Sequence, residues 1–165
     1  MKTALEFAVN GADVSRYHTT YTLFNETVGH HSHQVAIICK LLDPDASANL
    51  LLAALVHDIS EHITGDIPSP AKKEYGIGEQ VTHLEEHLMT QAGWEIEPLT
   101  LKEKRTLKMA DIAQGAIFCA REVNRGNKAL LSIYHKYIGY AEAYVLQGRE
   151  VELFNIIKGY IDESK

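Results

Sequence analysis

Apolar residues recur along the chain at the three-to-four-residue interval of an α-helix, not the two-residue interval of a strand. Between 28 and 42, Val28, His31, Val35, Ile38 and Leu42 keep one stripe. Residues 46–63 predict a second long helix, rich in Ala and Leu and ending before Gly65. Glycines and prolines make 65–78 a loop. Residues 79–92 predict a helix closed by Gly93. Thr100-Leu101-Lys102-Glu103 reads as a capping box and opens a long helix that runs to Gly126. Helices over 128–147 and 150–163 follow, parted by Gly148, and a short one over 3–9 precedes the polar, irregular stretch 10–26. The prolines at 44, 68, 70 and 98 fall between the periodic segments, where a missing N–H does no harm. No strand pair, repeat or linker is predicted. The expectation is an all-α fold, a compact bundle of about six or seven helices, in a single domain over 1–165.

Charge narrows the function classes. Lys plus Arg number 16 against 22 Asp plus Glu, a net charge of −6. That disfavours a nucleic-acid polymer as partner, since affinity for a polyanion rests on Lys and Arg. A small phosphate ligand in a locally basic pocket remains compatible. No apolar run approaches the roughly 20 residues that span a bilayer, and the first residues lack the apolar core and cleavage site of a signal peptide. Cys39 and Cys119 lie in apolar helical patterns, which predicts buried free thiols and a reducing cytoplasm.

Histidine is the unusual entry in the composition, with nine residues. Helical phase sorts them. His31 faces the core on its stripe, whereas His30 and His33 fall to the flanks. A buried imidazole needs a partner, either a backbone carbonyl or a metal. In LLLAALVHDISEHITGD, His57 and Glu61 share a face and Asp58 lies one step round. Polar groups on an apolar helix are costly unless something binds them, and imidazole with carboxylate suits zinc, iron or manganese. The alternative is a helix end emerging into solvent, with His62 as an outer residue. In KRTLKMADIAQGAIF, Asp111 sits among apolar residues with Lys108 one turn earlier. They read as site residues or as a surface ion pair. Gly115, one turn on, leaves room for something bulky.

The combined H…HD…D pattern resembles the HD-domain metal-dependent phosphohydrolases. It is similar to the bacterial 5′-deoxynucleotidases and the phage deoxyadenosine triphosphate (dATP) triphosphohydrolases. The runs that carry the resemblance are Arg16-Tyr17-His18, His31-Ser32-x-Gln34-Val35-Ala36, His57-Asp58-x-x-Glu61, Thr64-Gly65-Asp66-Ile67-Pro68-x-Pro70-x-Lys72 and Lys108-x-Ala110-Asp111, over about residues 14–125. The resemblance implies an HD-type helical bundle with His31, His57, Asp58 and Asp111 as ligands of a divalent metal. Zinc comes first, with cobalt, manganese or magnesium as alternatives and room for a second ion. It implies Glu61 as the catalytic carboxylate and Asp66 as a second acidic group near substrate or a second ion. Arg16, Lys72 and Lys108 become phosphate contacts, Tyr17 the base-stacking position and His18 a pocket residue beside Arg16. His30 and Tyr17 depart from the Glu and Trp common in these families.

Three candidate cations exceed what a monophosphate needs, so the expected reaction is hydrolysis of dATP to deoxyadenosine and triphosphate. Cleavage of deoxynucleoside monophosphates is the alternative, and a non-hydrolytic nucleotide sensor a further one. The resemblance also implies a homo-oligomer, dimer to hexamer, acting in the cytoplasm, that of the host if the chain is phage-encoded. A rival motif, His83-Leu84-Glu85-Glu86-His87, fits an inverted zinc-protease signature. Val81, Leu84, Leu88 and Ala92 form the apolar stripe there, which turns His83, Glu86 and His87 to water. Tyr134, Tyr137, Tyr140 and Tyr144 read as core edge or subunit interface.

Overall fold

A computed structural model describes residues 1–161. The helices are α1 (Lys2–Ala12), α2 (Val28–Leu42), α3 (Ala48–Val56), α4 (Glu61–Thr64), α5 (Ser69–Glu74), α6 (Gly78–Ala92), α7 (Leu101–Asn124), α8 (Leu131–Glu142) and α9 (Arg149–Lys158), with a 3-10 turn over Lys128–Leu130. Extended pairing among the described residues is an isolated antiparallel bridge between Ser15 and Thr27. The fold is all-α, as the periodicity predicts. Among the described residues no helix is long and apolar enough to cross a membrane.

α7 is the axis. Its capping box is formed: Thr100 Oγ1 accepts from the Glu103 N–H at 3.2 Å, and the Glu103 carboxylate accepts from the Thr100 N–H at 2.9 Å. Small buried residues on several faces, Ala110, Ala113, Ala116 and Ala120, let α2, α8 and α9 approach it closely. On α2 the predicted stripe is buried at Val28, His31, Val35 and Ile38, while Leu42 is half-buried and the flanking His30 and His33 are exposed. Phe154, Leu50, Met109 and Leu130 are fully buried around this axis. Each such side chain contributes roughly 1.5–3 kcal/mol, so the site's main walls are core. Cys39 and Cys119 are free and buried, and burial pushes both thiols up to about 12, which keeps them from acting as nucleophiles.

The helix expected over 46–63 is broken. α3 stops at Val56, and residues 57–60 turn before α4 begins. The turn is closed by i→i+3 bonds, Ile59 N–H to Val56 C=O at 3.3 Å and Glu61 N–H to Asp58 C=O at 3.0 Å. A contact distant in sequence accompanies the break. α1 runs past its predicted end, and a Cβ on Gly11 would collide with the backbone of Ile59 at its carbonyl oxygen. Only a glycine admits this approach. The loop over 65–78 contains α5, so nine α-helical segments occur among the described residues where six or seven were expected. The helix expected over 128–147 ends at Glu142, and α9 ends at Lys158; positions 162–163 of its predicted span lie outside the described residues. On α6, Val81 and Ala92 are buried, but Leu84, placed on the apolar stripe, is 45% exposed.

The polar stretch before α2 is irregular yet anchored. Val28 N–H donates to the Val14 C=O at 2.9 Å, and Arg16 N–H to the Glu26 C=O at 2.8 Å. Its tip hangs on the buried Glu122 of α7, which accepts the N–H groups of Leu23 at 2.7 Å and Phe24 at 3.1 Å. The result is that Arg16 and Glu26 stand side by side at the head of the site.

Candidate metal centre

α2, the turn after α3 and α7 converge on a cluster of acceptor atoms. His31 Nε2 and His57 Nε2 are 3.2 Å apart, and Asp58 Oδ2 lies 3.6 Å from the first and 3.3 Å from the second. Asp111 Oδ1 is 3.4 Å from His31 Nε2. Donor atoms in a tetrahedral or octahedral shell with bonds of about 2.0–2.2 Å stand roughly 2.8–3.6 Å apart, the same range. His31, His57 and Asp58 can all reach one point, whereas Asp111 joins through its approach to His31.

The hydrogen bonds behind the imidazoles settle what this cluster lacks. His57 Nδ1–H donates to the Ala54 carbonyl at 2.9 Å. His31 Nδ1 faces Gln114 Oε1 at 2.5 Å, and an amide oxygen only accepts, so Nδ1 carries the proton. Both Nε2 atoms therefore turn lone pairs toward each other and toward two carboxylates. Burial opposes ionisation of Asp58, but the electrostatic pull of His57, Arg16 and His31 outweighs it and holds the carboxyl below the usual range. Asp111 is held well below that range despite burial by His31, Lys108 and His57. Four convergent acceptors are stable only around positive charge, supplied by extra protons on the imidazoles or by a metal cation. The donor set fits a divalent metal.

Arg16 closes the site from the loop side. It is nearly buried, with Nη1 2.8 Å from Asp58 Oδ2 and Nε 3.4 Å from Glu26 Oε2. Burial opposes its charge, yet Asp58, Tyr17, Asp111 and Glu26 raise its pKa further. Glu26 Oε1 accepts from Gln114 Nε2 at 2.5 Å. Burial pushes Glu26 up, against the pull of Arg16 and Gln114.

Glu61 is the first residue of α4 and 5% exposed, with one buried oxygen lacking a hydrogen-bond partner. Burial, then Asp58 and Asp66, raises its carboxyl to about 9. Asp66 Oδ2 accepts the Tyr17 N–H at 3.2 Å, pinning a backbone at φ +56° that L-residues seldom adopt. The ring of Tyr17 stacks on Phe118 at 4.8 Å, with Arg16 5.9 Å from its centroid, and its hydroxyl meets that of Tyr137 at 3.0 Å. The structure thus packs Tyr17 into the site's wall. Lys72 lies in the last turn of α5 and pairs with Glu85 of α6 at 3.3 Å. Lys108 is half exposed and pairs with Asp111 at 2.9 Å, so the helical ion pair is formed at the edge of the cluster. His18 follows Tyr17 on the loop and is exposed.

Sequence reasoning missed four residues. Gln114 and Glu26 are buried polar groups in apolar surroundings, and the i,i+3 relation of Gln114 to Asp111 was the available signal for the first. Glu85, inside the rival motif, answers Lys72 and is itself raised by burial; His83, Glu86 and His87 are exposed, as the stripe predicted. Tyr137 is what Gly115 makes room for: a Cβ there would run into its ring. Beside the site, a cavity of about 330 Å³ is lined by Glu26 together with Phe24, His30, Gln34 and Phe118.

Comparison with known proteins gives a family and a shared fold. The family described as 5′-deoxynucleotidase YfbR-like matches residues 10–157. A 5′-deoxynucleotidase of Photorhabdus laumondii, plu3092, is 29% identical over 138 residues, covering 69% of this chain and 70% of its own. The 5′-deoxynucleotidase YfbR of Escherichia coli O127:H6 is 26% identical over 144 residues, covering 72% and 71%. Among solved structures, the cyanophage S-2L HD phosphohydrolase DatZ, bound to dA and one catalytic Zn2+ ion, shares the fold. Its TM-score is 0.62 at 18% identity, covering 93% of both chains.

Proposed function

Because the chain belongs to the 5′-deoxynucleotidase YfbR-like family and is an HD-type deoxynucleotide phosphohydrolase, we propose that it cleaves deoxynucleoside 5′-monophosphates to deoxynucleoside and phosphate. The observation that carries this choice is the pairing of every candidate cation. Arg16 is matched by Asp58 and Glu26, Lys72 by Glu85 and Lys108 by Asp111. The expectation of a triphosphate rested on a surplus of cations, and acidic groups outnumber cations here. Hydrolysis of dATP to deoxyadenosine and triphosphate is the second reading. It is favoured by the half-exposed Lys108, whose ammonium can leave Asp111 for a longer phosphate chain.

In this reading His31, His57, Asp58 and Asp111 hold the metal. A divalent ion, zinc first, would supply Lewis acidity toward a phosphate oxygen and lower the pKa of a water. Arg16 donates from Nη1 to Asp58 and lies beside Glu26, and its guanidinium is suited to meet a phosphate oxygen. Lys72 neutralises phosphate charge from α5. Glu61, raised by burial, keeps a proton at neutral pH and is suited to hand it to the leaving 5′-oxygen. Asp66 keeps the Arg16–Tyr17 turn in shape. The same reading takes 1–165 as one domain, cytoplasmic and homo-oligomeric, with exposed Ile37, Leu41 and Ile156 as apolar surface available to a second copy.

The test is a panel of deoxynucleoside mono-, di- and triphosphates with zinc, cobalt, manganese or magnesium, with products separated by chromatography. Phosphate from monophosphates is expected. Triphosphate from dATP would install the second reading, and binding without products would make the chain a sensor. Sedimentation as a monomer alone would remove the oligomer.

A further inference from the structure

We propose that Glu26 and Gln114 are positioning residues that set which nitrogen of His31 is free to bind metal. This rests on the reading of His31 as a ligand and goes beyond it, because neither residue belongs to the acceptor cluster. The three groups form a buried line: Glu26 is 5% exposed, and Gln114 and His31 are fully buried. Gln114 Nε2 donates to Glu26 Oε1 at 2.5 Å, and Gln114 Oε1 receives the His31 Nδ1–H at 2.5 Å.

The direction of this line is decided at its outer end. An amide has one donating and one accepting side, and buried groups are rarely left unmatched. A carboxylate at 26 only accepts, so it draws the NH2 of Gln114 to itself. The amide oxygen must then face His31, the proton must sit on Nδ1, and Nε2 is left bare. Reversing the first choice reverses the rest. If residue 26 offered a donor, Gln114 would turn its oxygen outward and its NH2 toward Nδ1. The proton would move to Nε2 and block the metal position. Arg16, at 3.4 Å from the other oxygen of Glu26, keeps the outer end an acceptor and ties it back to Asp58, so the line closes into a loop around the site.

Glu26→Gln is the decisive change, since it keeps volume and supplies a donor. Zinc affinity of the full chain, measured by chelator competition, is expected to weaken about 10–100-fold. Adding Gln114→Glu restores the original polarity: the amide introduced at position 26 donates to the carboxylate introduced at position 114, which accepts the Nδ1–H. The double variant is expected to recover zinc affinity to within a few-fold, although Gln114→Glu alone sets two buried carboxylates against each other. A merely structural role predicts additive losses in the double variant, and additivity would overturn the proposal. The tautomer is read separately in the metal-free full chain at alkaline pH by long-range 1H–15N spectra. His31 is expected as Nδ1–H in the wild type and as Nε2–H in Glu26→Gln. An unchanged tautomer overturns the proposal. A wild type that binds no zinc but shows the tautomer switch overturns only the ligand reading.

Discussion

The two halves of the site are built on opposite principles. One half, on α2, α7 and the turn after α3, gathers lone pairs that have no partner in one another. The other, around α5, α6 and the exposed end of Lys108, gathers ion pairs that are already complete. The first half stays frustrated until a cation arrives. In the proposed reading, the second would receive a phosphate only by exchanging a carboxylate for it. Metal affinity is therefore set by folding, whereas phosphate affinity is set by competition between anions for the same cations.

Asp58→Asn strikes the first half hardest, since Asp58 serves both the acceptor cluster and Arg16. Zinc content measured by mass spectrometry and turnover are both expected to fall to background. Full activity would dissolve the comparison. Glu61→Gln separates chemistry from binding: kcat is expected to fall by about 10²–10⁴, with zinc content and substrate affinity retained. Lys72→Gln and Glu85→Gln probe the exchange of anions directly. The first is expected to raise KM about tenfold, near 1.4 kcal/mol. The second removes the competing carboxylate and is expected to lower KM a few-fold at low salt. A rise in KM for Glu85→Gln would mean that Glu85 holds Lys72 in place and does not compete with substrate.

The smallest effect lies outside the site and gives the value of an ion pair that no ligand contests. Hydrogen bonds from Arg105 hold Glu150 below its usual range. A depressed carboxyl contributes stability above its unfolded pKa and loses it as pH falls through the folded value. Glu150→Gln is therefore expected to cost under about 1 kcal/mol at neutral pH. In denaturant titrations the gap to wild type should close below about pH 4.

Much of this was legible because burial and period agree. His31 on its stripe, the Thr100 capping box and the solvent face of His83 and His87 all follow from helical phase. The break after Val56 was not, since Leu50 to Ile63 holds no Gly or Pro to announce it. A tertiary contact with Gly11 accompanies the break instead. For the same reason Glu26 and Glu122 were invisible, and Gln114 offered only its spacing from Asp111: a buried polar residue is recognised by its partner, and each has a partner distant in the chain. The space reserved by Gly115 was read correctly and its occupant was not, because Tyr137 comes from a separate helix.

The seat of Gly11 on Ile59 has a consequence for how this protein fails. The turn that presents His57 and Asp58 is braced by the chain's first helix, while His31 and Asp111 belong to the central core. Fraying or proteolytic clipping at the N-terminus would loosen one side of the cluster and leave α7 and its neighbours folded. The earliest sign of damage would be a folded chain that has shed its ion, visible as leaked metal well before any helix melts.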